Sequence, residues 1–238
     1  MKLFKFISSS GIISRRKAQE SIQLAMVTVN NNVIMDPFTE IDPAIDDIRL
    51  DNQKIKLNTN STTIVLFKPK GFISSRSDEM GRKTVFDLIP RKPYLNHVGR
   101  LDKDTTGLIL LTNDGDLSQL LTHPKNKISK EYLAQTNELI DEKIIKKIER
   151  GIFIGSGEKG KAKIVSQDKI KNHVHVKLLL RQGKKNEIRR IFKFSGLKLI
   201  SLKRLKFGNI TLDQLKEGQW RELTKREKQY LDKLMQKR

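Results

Sequence analysis

The segment Gly107-Leu108-Ile109-Leu110-Leu111 constrains the fold more than any other stretch of this chain of 238 residues. It is too short for a buried helix and has no polar position, so it reads as a strand covered on both faces. The residues before it are polar, V-G-R-L-D-K-D-T-T from Val98 to Thr106, and Asn113-Asp114-Gly115 after it supplies the turn chemistry that closes the strand. The loop is therefore anchored to rigid sheet at its far end. Within it Asp102 lies between two fixed positive charges, Arg100 and Lys103. Taken alone, Asp102 reads most simply as a loop carboxylate satisfied by a neighbouring Arg; a reactive role needs further support.

Charge narrows the class of partner. Lys and Arg number 48 against 27 Asp and Glu, a formal net charge of +21. Such an excess points to a polyanion, and nucleic acid comes first because phosphate contacts supply affinity independent of sequence. Solvated Lys faces are the plainer reading of the same excess. The charge is unevenly shared: residues 1–60 carry 8 basic and 7 acidic side chains, the remaining 178 carry 40 and 20. With no cysteine, disulfides, thiolate zinc sites and Cys nucleophiles are excluded, and with them the cysteine-dependent pyrimidine methyltransferases. The apolar start at Leu3 to Ile7 is interrupted by Ser8–Ser10 and Arg15-Arg16-Lys17, and nothing approaches the ~20 apolar residues of a membrane span, so a soluble, cytoplasmic protein is expected, with a monomer as the default.

The first 58 residues read as a small domain. Leu3, Phe6 and Ile7 share a helical face that Gly11 terminates, and Ser14 can cap a second helix with Ala18, Ile22 and Ala25 inward. Arg15, Arg16 and Lys17 occupy its first turn, where the helix dipole disfavours cations by roughly 0.3–1 kcal/mol each. Free N–H groups with three cations make a phosphate seat; a merely exposed polar turn is the alternative. Val27-Thr28-Val29 alternates as a strand, Asn30-Asn31-Asn32 can turn it, and Asp46 to Leu57 reads as a further short strand. The strings L-x-K-F-I, G-I-x-S-R-R-K-A and V-T-V-N in this order resemble the S4 RNA-binding domain, with Asn31 where that domain usually has Gly. Residues 59–62 are a polar linker, and 63–238 form the second domain.

In the second domain Ile64–Phe67 is a buried-type strand followed by the turn Lys68-Pro69-Lys70-Gly71. Val85–Pro90 and Tyr94–Val98 lead into the central loop, and Leu117, Leu120 and Leu121 mark a short helix that stops at His123-Pro124. Tyr132, in Ser129-Lys130-Glu131-Tyr132-Leu133, is a strand residue that either buries its ring or offers a stacking surface. Asp141–Glu149 is an amphipathic helix with Ile144, Ile145 and Ile148 inward. The following Gly155-Ser156-Gly157-Glu158-Lys159-Gly160-Lys161-Ala162 satisfies G-x-G-x-x-G in letters only: an extended segment follows it, and Ala162 lacks the hydroxyl a nucleotide loop needs, so a Gly-rich hairpin is expected. His173 and His175 fall on the polar face of an alternating strand rather than on a metal. Asn186 can cap a helix whose inward face is Ile188, Ile191, Phe192 and Ser195, with Arg189, Arg190 and Lys193 opposite and Gly196 as its stop. Lys225–Arg238 is a closing helix of mixed charge.

The string Val98–Gly115 resembles the catalytic motif of the RsuA/RluB/RluE/RluF family of RNA pseudouridine synthases. Three further stretches agree: Lys68-Pro69-Lys70-Gly71 with K-P-x-G, Gly183 to Ile191 with G-K-N-R-Q-V-R-R-M, and Gly218-Gln219-Trp220-Arg221-Glu222-Leu223 with G-x-W-R-x-L. The departures are Asn186 and Glu187 at the family's R-Q positions. The resemblance implies an α+β architecture, a small S4-like domain followed by a catalytic domain on a mixed or antiparallel sheet. It implies catalytic roles for Asp102 as nucleophile, Tyr132 against the target base and Arg189 as the cation beside the carboxylate, with RNA contacts from Arg15, Arg16, Lys17, Arg100, Lys130, Lys184, Lys185 and Arg190. The isomerisation needs no redox change or group donor, so no cofactor and no metal are expected. Ribosomal RNA is the expected substrate, 23S before 16S, and a non-catalytic ribosome-associated RNA-binding protein is the alternative.

Overall fold

The structure is a computed structural model that describes residues 1–57, 61–76, 78–89 and 95–236. The expectations on linker residues 58–60, on Pro90 and Tyr94 and on the last two residues of the closing helix lie outside the described residues. Two compact units part between Thr63 and Ile64, with the short pieces 95–96 and 112–115 grouped with the first.

In the first unit, α1 (Leu3–Ser9) and α2 (Arg15–Gln23) bury Leu3, Phe6, Ile7, Ala18 and Ile22 against a four-stranded sheet. That sheet runs β2 (Asn32–Val33), β1 (Val27–Val29), β3 (Ile48–Leu50), β4 (Gln53–Lys54). The Ser14 side chain caps α2 by accepting from Lys17 N at 3.2 Å. Two expectations are corrected. Ala25 is exposed in the left-handed region (φ 59°), because α2 ends at Gln23 and the chain must reverse into β1. Asp46–Leu57 is a hairpin, not one strand, since Asp51 and Asn52 both adopt positive φ and make the two-residue turn that favours such residues.

The second unit is built on one mixed sheet. Its strands are β5 (Thr63–Lys68), β6 (Asn96–Val98), β7 (Thr106–Thr112), β8 (Lys130–Thr136), β11 (Lys163–Ile170), β12 (His173–Leu180), β13 (Ser201–Phe207), β14 (Ile210–Thr211) and β15 (Trp220–Glu222). The order is β11-β12-β8-β13-β7-β5-β15, with β14 on β13 and β6 on β7. Helices α3 (Gly115–Thr122) and α6 (Lys225–Gln236) cover one face, where Leu117, Leu120, Leu121 and Leu231 meet Leu108, Leu110 and Phe207. Ile109 and Leu111 point the other way and are equally buried. Strand β7 is therefore covered on both faces, as its unbroken apolar run requires, each such side chain contributing about 1.5–3 kcal/mol.

β7 runs parallel to β13, with Thr106 opposite Lys203 and Gly107 opposite Arg204. The two backbones come so close that a Cβ on Gly107 (φ +109°) would sit 2.3 Å from Arg204 O. Helix α4 (Glu142–Arg150) leads to the hairpin β9 (Ile152–Phe153) and β10 (Lys159–Gly160), so the glycine-rich stretch is a turn, followed by strand β11 and not by a helix. Helix α5 (Glu187–Phe194) buries Ile188, Ile191 and Phe192, while Ser195 stands just past its end with its hydroxyl buried and unpartnered.

Candidate active site

The loop before β7 is fixed almost atom by atom. Ser74 Oγ donates to Leu101 O at 3.0 Å and accepts from Leu101 N at 3.1 Å. Gly71 N donates to Lys103 O at 2.9 Å, and Thr105 N closes a turn onto Asp102 O at 3.0 Å. From below, the ammonium of Lys68, on the last residue of β5, donates to the carbonyls of Thr105 (2.8 Å), Pro69 (3.0 Å) and Lys103 (3.2 Å). Lys68 is fully buried, and burial pushes its pKa down to about 8 against the pull of Asp102 and Asp104. With its backbone held, the loop turns the Asp102 side chain outward, 44% exposed, beside the exposed Arg100, Lys103 and Asp104.

Two residues of the 183–191 segment aim that carboxylate. The Asn186 amide nitrogen, turned to the orientation its surroundings demand, donates to Asp102 Oδ2 at 2.6 Å and Oδ1 at 2.8 Å. Arg189 Nε lies 4.0 Å from Asp102 Oδ2, and its Nη2 donates to Thr105 Oγ1 at 3.2 Å. The expected capping role of Asn186 is corrected here. It stands at the N-cap position but in the left-handed region (φ 52°), and its side chain makes no cap bond, because the carboxylate from the distant loop takes it. Glu187 does the local work, accepting from Lys184 N at 3.0 Å and Lys161 N at 3.4 Å; burial raises its pKa.

Asp102, Arg189 and Tyr132 line one recess of about 260 Å³, and Arg100, Lys130, Lys184 and Lys185 line it too. Tyr132 is 7% exposed, on β8 directly opposite Arg204 of β13. Arg190 does not join them. Its guanidinium is engaged with Ile154 O (2.7 Å), Gly155 O (2.7 Å) and the Glu158 carboxylate, fastening α5 to the β9–β10 turn. Arg15, Arg16 and Lys17 belong to the first unit, exposed on the first turn of α2.

The sequence reading missed Asn186 as a partner of Asp102, and it missed Lys68, Thr105 and Arg204. Signals existed for two of them: Lys68 stands where a buried strand meets the K-P-x-G turn, and Asn186 departs from the family string three residues before Arg189. Replacing Lys68 with Met leaves three carbonyls without their donor, each unsatisfied group costing about 1–3 kcal/mol, partly offset by no longer burying an ammonium. The expected result is a second unit less stable by about 2 kcal/mol in urea unfolding. An unchanged urea midpoint would rule out this clamp.

Comparison with known proteins identifies the family. Residues 62–194 match the family described as RNA pseudouridylate synthase. The chain is 37% identical over 231 residues, 95% of its length and 93% of the relative's, to the ribosomal large subunit pseudouridine synthase B of Bacillus subtilis (strain 168). It is 35% identical over 95% of its length and 90% of the relative's to an uncharacterized RNA pseudouridine synthase of Mycobacterium leprae (strain TN). A crystal structure of a pseudouridylate synthase superposes with a TM-score of 0.68 at 29% identity, covering 98% of this chain and 99% of that one. Among the described residues no helix is long and apolar enough to cross a membrane. On the strength of these matches, over the mixed sheet that carries the recess, the chain belongs to the RNA pseudouridine synthase family and is an enzyme of that kind.

Proposed function

We propose that this enzyme isomerises a specific uridine of ribosomal RNA, in the large subunit's 23S RNA, with Asp102 as nucleophile on a base turned out of its stack. The observation that carries the reading is the Asp102 carboxylate, held by Asn186 and Arg189 at a recess that Tyr132 also lines. A flipped base needs a stacking surface and a wall of donors, and a carboxylate near its sugar can attack either C1′ or C6. The large-subunit assignment leans on the name of the Bacillus subtilis relative. The enzyme would work in the cytoplasm, where ribosomal RNA is assembled.

The N-terminal unit acts in this reading as an S4-type RNA-binding domain that docks on a neighbouring stem, with Arg15, Arg16 and Lys17 on phosphates. Arg100, Lys184 and Lys185 contact the strand that carries the target. Replacing Arg15, Arg16 and Lys17 together by Ala is expected to weaken RNA binding and to flatten the plot of log affinity against log salt by about 2–3. Filter binding at several salt concentrations checks this, and an unaltered slope would remove the three from the interface.

The decisive experiment maps pseudouridines in ribosomal RNA with and without this gene. One uridine left unconverted in the deletion strain, and restored by the intact chain but not by an Asp102→Asn variant, is the expected result. A full complement in the deletion strain would favour a non-catalytic ribosome-associated role.

A further inference from the structure

The strands that form the recess also carry a pair of cations the reading above does not use. Tyr132 of β8 pairs with Arg204 of β13. Lys130, two residues before Tyr132 and so on the same face, pairs with Phe207. Lys130 Nζ lies 5.3 Å and Arg204 Cζ 5.2 Å from the centroid of the Phe207 ring, and both residues line the recess. Arg204 is 1% exposed; its Nε donates to Leu108 O at 2.6 Å, while its Nη2 is buried without a partner. Lys130 has only long contacts, to Gln182 O at 3.4 Å and Ile128 O at 3.5 Å. Among the described residues neither cation forms an ion pair. The nearby carboxylate of Glu187 is already bonded to backbone N–H groups. Burial, with Arg204 adding to it and Glu187 opposing, pushes the Lys130 ammonium down to about 8. A buried guanidinium and a half-buried ammonium without a counter-charge are expensive, so their presence beside a substrate recess calls for an anion that arrives there.

We propose that Lys130 and Arg204 form a cationic floor to the base pocket and stabilise the negative charge that the uracil ring takes up during isomerisation. The inference rests on the reading that Asp102 attacks a flipped uridine, and it holds for either point of attack. If the carboxylate adds to C6, the C5–C6 π pair moves into the C4 carbonyl and leaves an enolate on O4. If it displaces the base from C1′, the glycosidic pair stays on N1 and spreads over O2 and O4. On the C6 route the N1–C1′ bond then breaks with its pair on N1, C5 bonds to C1′, and loss of the C5 proton expels the carboxylate from C6; on the C1′ route C5 displaces the carboxylate from C1′ and then loses its proton. In both N1 gains a proton and Asp102 is regenerated, so no outside reagent is consumed. Charge that exists only in transit is best met by fixed cations already in place.

The test is single-turnover tritium release from ribosomal RNA transcripts labelled with [5-³H]uridine, using the full chain and its Lys130→Met, Lys130→Arg, Arg204→Met and Arg204→Lys variants. Each Met variant is expected to be slower by about 100-fold, with RNA affinity within about threefold, whereas the charge-keeping variants stay within about tenfold of the unaltered chain. Since Arg204→Met can fail to fold, the half-buried Lys130 decides. In transcripts made with 5-fluorouridine, the fluorine itself stabilises the ring anion. There the Lys130→Met deficit, followed by nucleoside chromatography of digested RNA, is expected to shrink to under about tenfold. A Lys130→Met rate within about threefold of the unaltered chain overturns the floor, as does a Lys130→Arg variant as slow as Lys130→Met or an equal deficit on both RNAs. Absence of release by the unaltered chain overturns the reading beneath it, a result distinct from these.

Discussion

Asp102→Asn is expected to lower uridine isomerisation by about 10⁴-fold or more while leaving RNA affinity within a few fold. The substitution keeps the shape of the side chain and removes its charge. Little else depends on that charge. The backbone of the loop is held by Ser74, Gly71 and Lys68 whether or not residue 102 is ionised. The contact with Arg189 is long, at 4.0 Å, and 44% of the Asp102 side chain is open to solvent, so its loss changes stability by less than about 1 kcal/mol. Single-turnover tritium release and filter binding on one preparation separate the two effects. Retained turnover would take Asp102 out of the chemistry, and a matching collapse of affinity would make it a binding group.

The largest loss of stability is expected at a residue with no side chain. Gly107→Ala puts a methyl 2.3 Å from Arg204 O and 2.5 Å from Arg204 N, both main-chain atoms, at a φ of +109° that L-residues rarely adopt. Neither strand can yield, because β7 lies between β13 and β5 in the middle of the sheet. A penalty above about 4 kcal/mol follows, enough to lower the melting temperature of the second unit by roughly 8–16 °C or to leave the protein insoluble. Calorimetry reads it directly, and a fall of less than about 2 °C would mean that the parallel pair is looser than described.

What could be read from the chain follows from how local its causes are. The strand through Leu108–Leu111, the helix with Ile188, Ile191 and Phe192 inward, and the hairpin at Gly155–Gly157 each follow from period or turn chemistry within a dozen residues, and each is found. Convergence of Asp102, Tyr132 and Arg189 on one recess came from family likeness, since spacing carries no such information. The residues that escaped notice act at long range. Among 48 Lys and Arg, Arg204 has nothing nearby to mark it and Lys68 only its place where a buried strand meets the K-P-x-G turn; Lys68 reaches a loop 35 residues on and Arg204 a carbonyl 96 residues back. Asn186 fits the local preference for a cap, but a carboxylate 84 positions away recruits its amide. Ala25 has the right spacing for α2, yet the helix has already stopped because the chain must reverse into β1.

The side-by-side parallel lie of β7 and β13 also sets a timetable. Gly107 meets its neighbour Arg204 only after 97 further residues have been made, and synthesis at about 5–20 residues per second puts roughly 5–20 s between them. Throughout that interval an apolar strand destined for the centre of the sheet waits with one edge open. Nascent chains halted before β13 should therefore be unable to isomerise uridine and prone to clump, and helpers that shield bare strand edges should matter most for this protein in that window.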